Sequence, residues 1–353
     1  MRAPVRLGIV GLGERGTALA RVLSETPQAQ LRWLCDHRGE VRLAARTRFP
    51  SARTTSEFDD LLADEAIDGI VVATPRPTRY ELVRTALEQE KHVLVVGPIA
   101  RRAEEADHLV RSAEHHGRAL VVAHRLLFHP AVAKLKELAT GRTLGDLHYV
   151  HAEERDLRLR SEGRDPLWDV SADLVTTIVH LLADEPVEAN ARAESFVGAP
   201  VPDLVTAHLA FATGVSAHLH VSCLDPVPTS RLTIVAAKRM LVLDAHDRGR
   251  ELTIHDKTVV AHPDSPTSMF VKVGQSTSPA IRNVDPITAA CEHFIASMRI
   301  GGDSLGTAHC SALAVSVLDA LERSLAAEEP PQATPPAIGQ RGVRLLLPTR
   351  SRR

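Results

Sequence analysis

The chain has 353 residues, 44% of them hydrophobic and 24% charged, with a formal net charge of −2. That is length enough for two domains, and the near-neutral charge excludes a strongly basic nucleic-acid binder or a field that draws the chain onto anionic membranes. Aromatics at 3% supply few base-stacking platforms, and no apolar run approaches the ~18 residues that span a bilayer. Cys35, Cys223, Cys291 and Cys310 are far apart and form no C-x-x-C pair, so they read as reduced packing residues of a cytoplasmic protein. The opening MRAPVRLGIVGLG has too short an apolar run for a signal peptide.

Residues 5 to 123 alternate strand and helix. VRLGIV is a short apolar run ending in glycine, as buried parallel strands do. ERGTALARVLSE then carries Ala18, Leu19, Val22 and Leu23 on one helical stripe. AQLRWLCD, IDGIVVAT, KHVLVVG and RALVVAH read as further strands, and EVRLAARTRF, RYELVRTALEQE and RRAEEADHLVRSAEHHG as the helices between them, the last closing on Gly117. This order predicts a doubly wound parallel sheet, a Rossmann domain over residues 1–123.

The texture changes at residue 124. PAVAKLKELATG reads as a helix with Pro130 in its first turn, LGDLHYVHAEE as a strand and ADLVTTIVHLLAD as a helix. Mostly strands follow: VEANARAES, DLVTAHLAFA, VSAHLHVSC, RLTIVAA, RMLVLDA, ELTIHD and TVVAHP. Two helices, ITAACEHFIASMRI and GTAHCSALAVSVLDALERSLAA, close the pattern. Residues 124–330 therefore form an α+β domain with a large, mainly antiparallel open sheet, and 331–353 a Pro-rich, basic tail. The alternating positions of that sheet read as fairly apolar. A homo-oligomer, dimer or tetramer, is expected through the sheet.

GLGERG places Gly11, Gly13 and Gly16 between the first strand and first helix, the context in which G-x-G-x-x-G binds a dinucleotide. The first glycine permits the turn, the second lets the backbone approach a pyrophosphate, and the third lets helix and strand pack closely. Leu12, Glu14 and Arg15 complete the turn. Asp36, about 20 residues on, suits the adenosine ribose hydroxyls, and its charge favours NAD over NADP, with Arg38 close enough to offset it. Ala73, Thr74 and Pro75 end the third strand run on the ligand side of the sheet, followed by Arg79.

These stretches together resemble the Gfo/Idh/MocA family, the glucose–fructose oxidoreductase and inositol dehydrogenase group. VRLGIVGLGERG, IDGIVVATPRPTRYELVRTALEQEKHVLVVGPIA, VVAHRLLFHPAVAKLKEL, LGDLHYVHAEER and LWDVSADLVTTIVHLLADEPVEANA match its blocks in order. The resemblance implies NAD or NADP, a sugar-like, cyclic or imine small molecule, and hydride transfer assisted by a lysine from an E-K-P turn and a histidine from a later helix. The chain departs at both positions. Val96 and Gly97 stand for the glutamate and lysine. Matching Trp168 and Asp169 to the family's W-D puts Asp173 at the histidine, and an alternative register puts Thr177 there. Arg79 replaces a histidine common near the T-P turn. The chain's lysines, Lys91, Lys134, Lys136, Lys238, Lys257 and Lys272, offer no easy substitute.

The residues left to carry proton transfer are His124 and Arg125, which end the fifth strand run, and Asp173. Arg158, Arg160 and Arg164 precede that helix and, with Trp168 and Asp169, are expected to bind substrate; the arginines suit a carboxylate or phosphate, so the substrate is expected to be anionic if they face it. Gly97 leaves a gap for a bulkier substrate or another side chain. His115 with His116, and His218 with His220, lack partners at metal-ligand spacing, so no metal is expected. Three readings remain open: an oxidoreductase with relocated acid–base groups, a non-redox lyase, isomerase or cyclase on the same scaffold, and a catalytically dead nucleotide-binding protein.

Overall fold

The computed structural model describes residues 3–327 apart from 142, 162–163, 199–200, 248, 263–264 and 304. The expected tail, 331–353, lies outside them. Six parallel strands form the first sheet: β1 (Val5–Val10), β2 (Ala29–Cys35), β3 (Arg53–Thr55), β4 (Gly69–Val72), β5 (His92–Val96) and β6 (Leu120–Ala123), in the order β3-β2-β1-β4-β5-β6. Ile70, Val71, Val72, Val93, Leu94 and Val95 are all inaccessible to solvent, as both-face burial under helices requires. The helices are α1 (Glu14–Glu25), α2 (Gly39–Arg48), α3 (Asp59–Ala63), α4 (Arg76–Glu88) and α5 (Ala103–His115). Strand β3 and helix α3 were not expected; three and five residues are too few to show a period. Strand order reverses between β1 and β4, and ligands bind at such a switch point, at the carboxyl ends of the strands.

The chain continues through α6 (Pro130–Thr140), β7 (Leu147–Arg155), α7 (Leu157–Ser161), a π-helical turn at Pro166–Val170, and α8 (Ser171–Leu182). Then come β8 (Pro186–Glu194), β9 (Leu204–Phe211), β10 (Ser216–Ser222), β11 (Thr229–Ala236), β12 (Met240–Asp244), β13 (Leu252–His262) and β14 (Ser265–Thr277), followed by α9 (Pro286–Ile300) and α10 (Thr307–Ala327). The second sheet runs β14-β13-β12-β11-β7-β10-β9-β8. Every neighbouring pair is antiparallel except β10 with β7. ELTIHD and TVVAHP, expected as two strands, are one, and β14 was missed because Ser, Thr and Pro dilute its alternation.

Val150, Ala152, Leu209, Leu219, Leu232 and Ile234 point from this sheet into the helical layer and are buried. The opposite face is more polar than expected, with Tyr149 and Val235 among its apolar residues. His151, His218 and His208 lie side by side across β7, β10 and β9, next to Asn190 on β8, and Glu153 and Arg231 pair beside them. Tyr149, Leu204 and Val235 share the parity of these polar residues, and the buried residues named above belong to the other.

The last two helices return to the first sheet. Ala290, Cys291, Phe294 and Ile295 of α9 join one core with Leu7, Ile9, Leu19 and Leu23. The Val122 backbone N–H donates to the Thr307 hydroxyl at 2.9 Å, and His293 pairs with Asp303 at 2.7 Å. The nucleotide-binding half is therefore assembled from both ends of the chain, although its sequence signature stops at residue 123. Among the described residues no helix is long and apolar enough to cross a membrane.

Candidate active site

The turn after β1 meets the demands of a diphosphate cradle. Gly11 has φ +88°, and a Cβ there would press on the Ala73 carbonyl at 2.8–2.9 Å. A Cβ on Gly16 would overlap the Gly11 carbonyl oxygen, whereas one on Gly13 would meet nothing within 4 Å. Two glycines thus serve packing, and the middle one keeps the turn open. Helix α1 starts at Glu14 with no side-chain cap, so its first N–H groups and positive dipole end are left for an anion. An open turn and an uncapped helix end fit a dinucleotide.

The cleft beside this turn holds about 760 Å³ and is walled by Gly13, Glu14, Arg15, Asp36, Arg38 and Thr74 among others. Leu12 is buried in the core and contributes its backbone N–H, 2.8 Å from Asp36 Oδ2. The Arg38 guanidinium grips both oxygens of the same carboxylate at 3.0 and 2.9 Å. Burial alone would raise the Asp36 pKa, but the Arg38 and Leu12 hydrogen bonds hold it well below the usual carboxylate range. At the far end of the cleft Arg79 is buried and ties two turns together, donating to the carbonyls of Thr74 and Pro98 at 2.9 Å each. Burial lowers its pKa to about 9, still cationic at neutral pH.

Arg76, which sequence reasoning passed over, binds Asp169 at 3.0 Å and Asp165 at 3.4 Å while stacking over the Trp168 ring. Asp165 in turn caps the π-helical turn through the N–H groups of Leu167 and Trp168. This cluster joins the start of α4 to the second half of the molecule. Trp168 is 1% exposed and packs beneath Arg76, not on the cleft wall where a substrate-binding role would need it. Of the three arginines expected together, Arg158 and Arg164 are apart. Arg158 is 72% exposed and holds Asp156, Arg164 lines the cleft and donates to the Asp169 carbonyl at 2.8 Å, and the Arg160 side chain lies outside the described residues.

Deeper in, a second pocket of about 170 Å³ shares Arg15 with the cleft and is walled by Leu19, Val96, Phe128, Arg125 and Asp173, with His124 at its base. His124 explains Gly97. A Cβ at residue 97 would run into the His124 imidazole, so that ring occupies the gap left by the absent side chain. The His124 side chain is fully buried; Nδ1 lies 3.0 Å from Asp173 Oδ1 and Nε2 3.0 Å from the Ser311 hydroxyl. The Thr176 hydroxyl stands 3.4 Å from Nε2. Asp173 is the member of the pair that reaches the pocket, at 21% side-chain exposure. Burial would raise its pKa, but the His124 hydrogen bond and charge, then Arg125 and Arg15, pull it down to about 2. The Thr177 hydroxyl is turned back onto the Asp173 carbonyl at 2.7 Å, so Asp173 is the residue presented to the pocket. Arg125 reaches Glu154 of β7 at 3.3 Å, another contact absent from the sequence reading. Ser311 and Thr176 stand 187 and 52 positions from His124, and no local pattern marks them. Among the described residues no lysine lines either space. Lys91 is buried at the other end of the sheet, donating to the Ile67 carbonyl.

Fold and cradle define the class of NAD-binding Rossmann oxidoreductases. The chain belongs to the Gfo/Idh/MocA family: residues 5–124 match the model described as oxidoreductase family, NAD-binding Rossmann fold, and residues 132–242 the GFO/IDH/MocA C-terminal domain. UDP-N-acetylglucosamine 3-dehydrogenase of Acidithiobacillus ferrooxidans is 26% identical over 243 residues, 68% of this chain and 74% of that protein. Its solved structure matches with TM-score 0.79 at 22% identity, covering 92% of this chain and 98% of the other. GenD2 from gentamicin A biosynthesis, solved in complex with NAD, has the same fold, with TM-score 0.77, 22% identity and coverage of 93% and 95%. A glycosyl hydrolase family 109 protein of Streptomyces niveus is 30% identical over 167 residues, 44% of this chain and 34% of that protein.

Proposed function

We propose that the protein is an NAD(P)-dependent oxidoreductase that acts on a hydroxyl of a sugar-like or cyclic small molecule, or reduces an imine to its amine, with Asp173 as its acid–base group. The observation that carries this reading is the His124–Asp173 pair at the base of the inner pocket, in the space vacated at Gly97. When bound, the dinucleotide supplies a nicotinamide that accepts or returns a hydride. The Gly11–Gly16 turn and the start of α1 would hold its diphosphate, and Asp36 with Arg38 its adenosine ribose. Asp173, ionised at neutral pH, takes the proton of the substrate hydroxyl as the carbon is oxidised and returns it in reduction. His124 holds the carboxylate in place through Nδ1–H. Arg15 and Arg125 line the pocket as fixed cations and would favour an anionic substrate. Assembly into a homo-oligomer through the second sheet belongs to the same reading.

Denaturing the purified protein and weighing what it releases identifies the cofactor. Absorbance at 340 nm across a panel of sugars, sugar acids, nucleotide sugars and cyclic polyols then reads the reaction. Protein that carries no dinucleotide and refuses added NAD and NADP overturns this function. A second reading rests on the absence of a lysine from both spaces and on the relative that carries a glycosyl hydrolase name. It is turnover of an anionic substrate with no net change in the nicotinamide, recognised by product formation without a 340 nm signal. A protein that binds the dinucleotide but gives neither signal would be the non-catalytic form.

A further inference from the structure

The inner pocket is small and is lined by two kinds of side chain. Its volume of about 170 Å³ is the liquid share of about six waters at ~30 Å³ each, which suits a short chain or a small ring better than a hexose. Leu19 of α1, Val96 of β5, Phe128 after β6, and Ile287 and Ala290 of α9 line it, and none of these side chains can donate or accept a hydrogen bond. Sugar hydroxyls pressed against them would lose water and find no partner. The charged part of the lining is Arg15, Arg125 and Asp173. Among the described residues Arg15 makes no hydrogen bond and no ion pair, although it faces both the cleft and the pocket. Arg125 has one partner, Glu154 at 3.3 Å, and is 49% exposed. Burial raises the Asp173 pKa and His124 lowers it; the charges of Arg125 and Arg15 lower it further, so both guanidinium groups stand within reach of that carboxylate.

We propose that this pocket takes a small carboxylic acid whose carbon next to the carboxylate carries the reacting hydroxyl or imine nitrogen, and whose remainder is hydrocarbon, a short branched chain or a small ring. Arg15 and Arg125 hold the carboxylate, Asp173 meets the hydroxyl or nitrogen, and the apolar side chains receive the hydrocarbon. A guanidinium fork matches a carboxylate through two parallel hydrogen bonds. Because both cations act on Asp173 itself, the anion they bind and the group Asp173 serves have to be neighbours in one small molecule. An acid with a hydrocarbon remainder is also the ligand that leaves no polar group of its own without a partner against the apolar lining. The reacting group rests on the reading above, which this substrate class narrows from sugar-like to apolar; the binding it predicts requires no chemistry.

Calorimetric titration of the full chain, first alone and then saturated with NAD, tests this with three probes: cyclopentanecarboxylate, which has no reacting group, its neutral amide cyclopentanecarboxamide, and D-gluconate, which carries hydroxyls in place of hydrocarbon. Cyclopentanecarboxylate should bind with a Kd of about 1 mM or below in both forms, and the other two at least ~10-fold more weakly, as expected when a charge-assisted hydrogen bond or an apolar contact is lost. Arg125→Gln should weaken cyclopentanecarboxylate binding about ten-fold and keep NAD affinity. Ile287→Asn should narrow the gap between the two acids. Melting curves check the fold of both variants, and the selectivity of the wild type needs neither. No binding of cyclopentanecarboxylate at about 10 mM, equal binding of its amide, or tighter binding of D-gluconate would each overturn the proposal. So would displacement of the acid by NAD, which would mark the pocket as the nicotinamide's own. The two readings fail separately. Turnover of a neutral sugar by protein that ignores cyclopentanecarboxylate keeps the oxidoreductase and removes this substrate class, and selective binding of the acid by protein that refuses NAD and NADP does the reverse.

Discussion

Gly97 and His124 shape the inner pocket, and each is intelligible only beside the other. Gly97 has no side chain because His124 fills its space, so a lysine there has no room while the imidazole stays. Gly97→Ala should destabilise the fold by about 1–3 kcal/mol through overpacking. In a His124→Ala background the same change should cost much less, which a double-mutant cycle of denaturant melts would reveal. Asp173→Asn should lower kcat by roughly 10²–10⁴-fold with NAD affinity retained, as loss of an acid–base group does; equal losses in both would argue for a structural role. The pair also sets a pH dependence. The Asp173 pKa falls from 3.8 to about 2 on folding, so its stabilising contribution is complete above about pH 4 and is lost as pH falls toward about 2. Asp173→Asn should flatten stability against pH across that acid window, and thermal melts at stepped pH would measure it.

At the scale of elements, the β1–turn–α1 unit separates packing glycines from the ligand-facing one. Gly13→Ala should leave the melting temperature of the free protein nearly unchanged but weaken NAD binding by an order of magnitude or more, since its Cβ enters open cleft. Gly16→Ala should damage the fold itself, because its Cβ meets the Gly11 carbonyl. Calorimetric titration beside melting curves distinguishes the two, and equal effects from both would contradict the assignment. The sequence placed this unit correctly because everything that defines it lies within a dozen residues. It missed β3 and α3, which are too short to show a period, and β14, where Met269, Phe270 and Val271 run consecutively and Ser, Thr and Pro dilute the alternation.

For the whole molecule, the return of α9 and α10 has a consequence for how the protein can be divided. Phe294, Ile295 and Cys291 complete the core under β1 and α1, and the Thr307 hydroxyl takes the Val122 N–H. A fragment spanning residues 1–124 would expose that core, and each large apolar side chain left in water forgoes about 1.5–3 kcal/mol. It should fail to give a cooperative melt or to bind NAD, although its sequence reads as a complete Rossmann domain. A soluble, NAD-binding fragment would show that the two helices are dispensable.

What the sequence by itself determined was local: the alternation of strand and helix, the glycine turn and the acid that follows β2. These are carried by periodicity and short spacing, which need no knowledge of what lies across the molecule. Tertiary structure decided the rest. It put the His124 ring against Gly97, brought Ser311 from α10 to that ring, set Arg158 and Arg164 apart and lined up His151, His218 and His208 on the outer face of the second sheet. Each of those facts depends on which distant residues share a volume. Close packing and burial settle that only when the whole chain has folded.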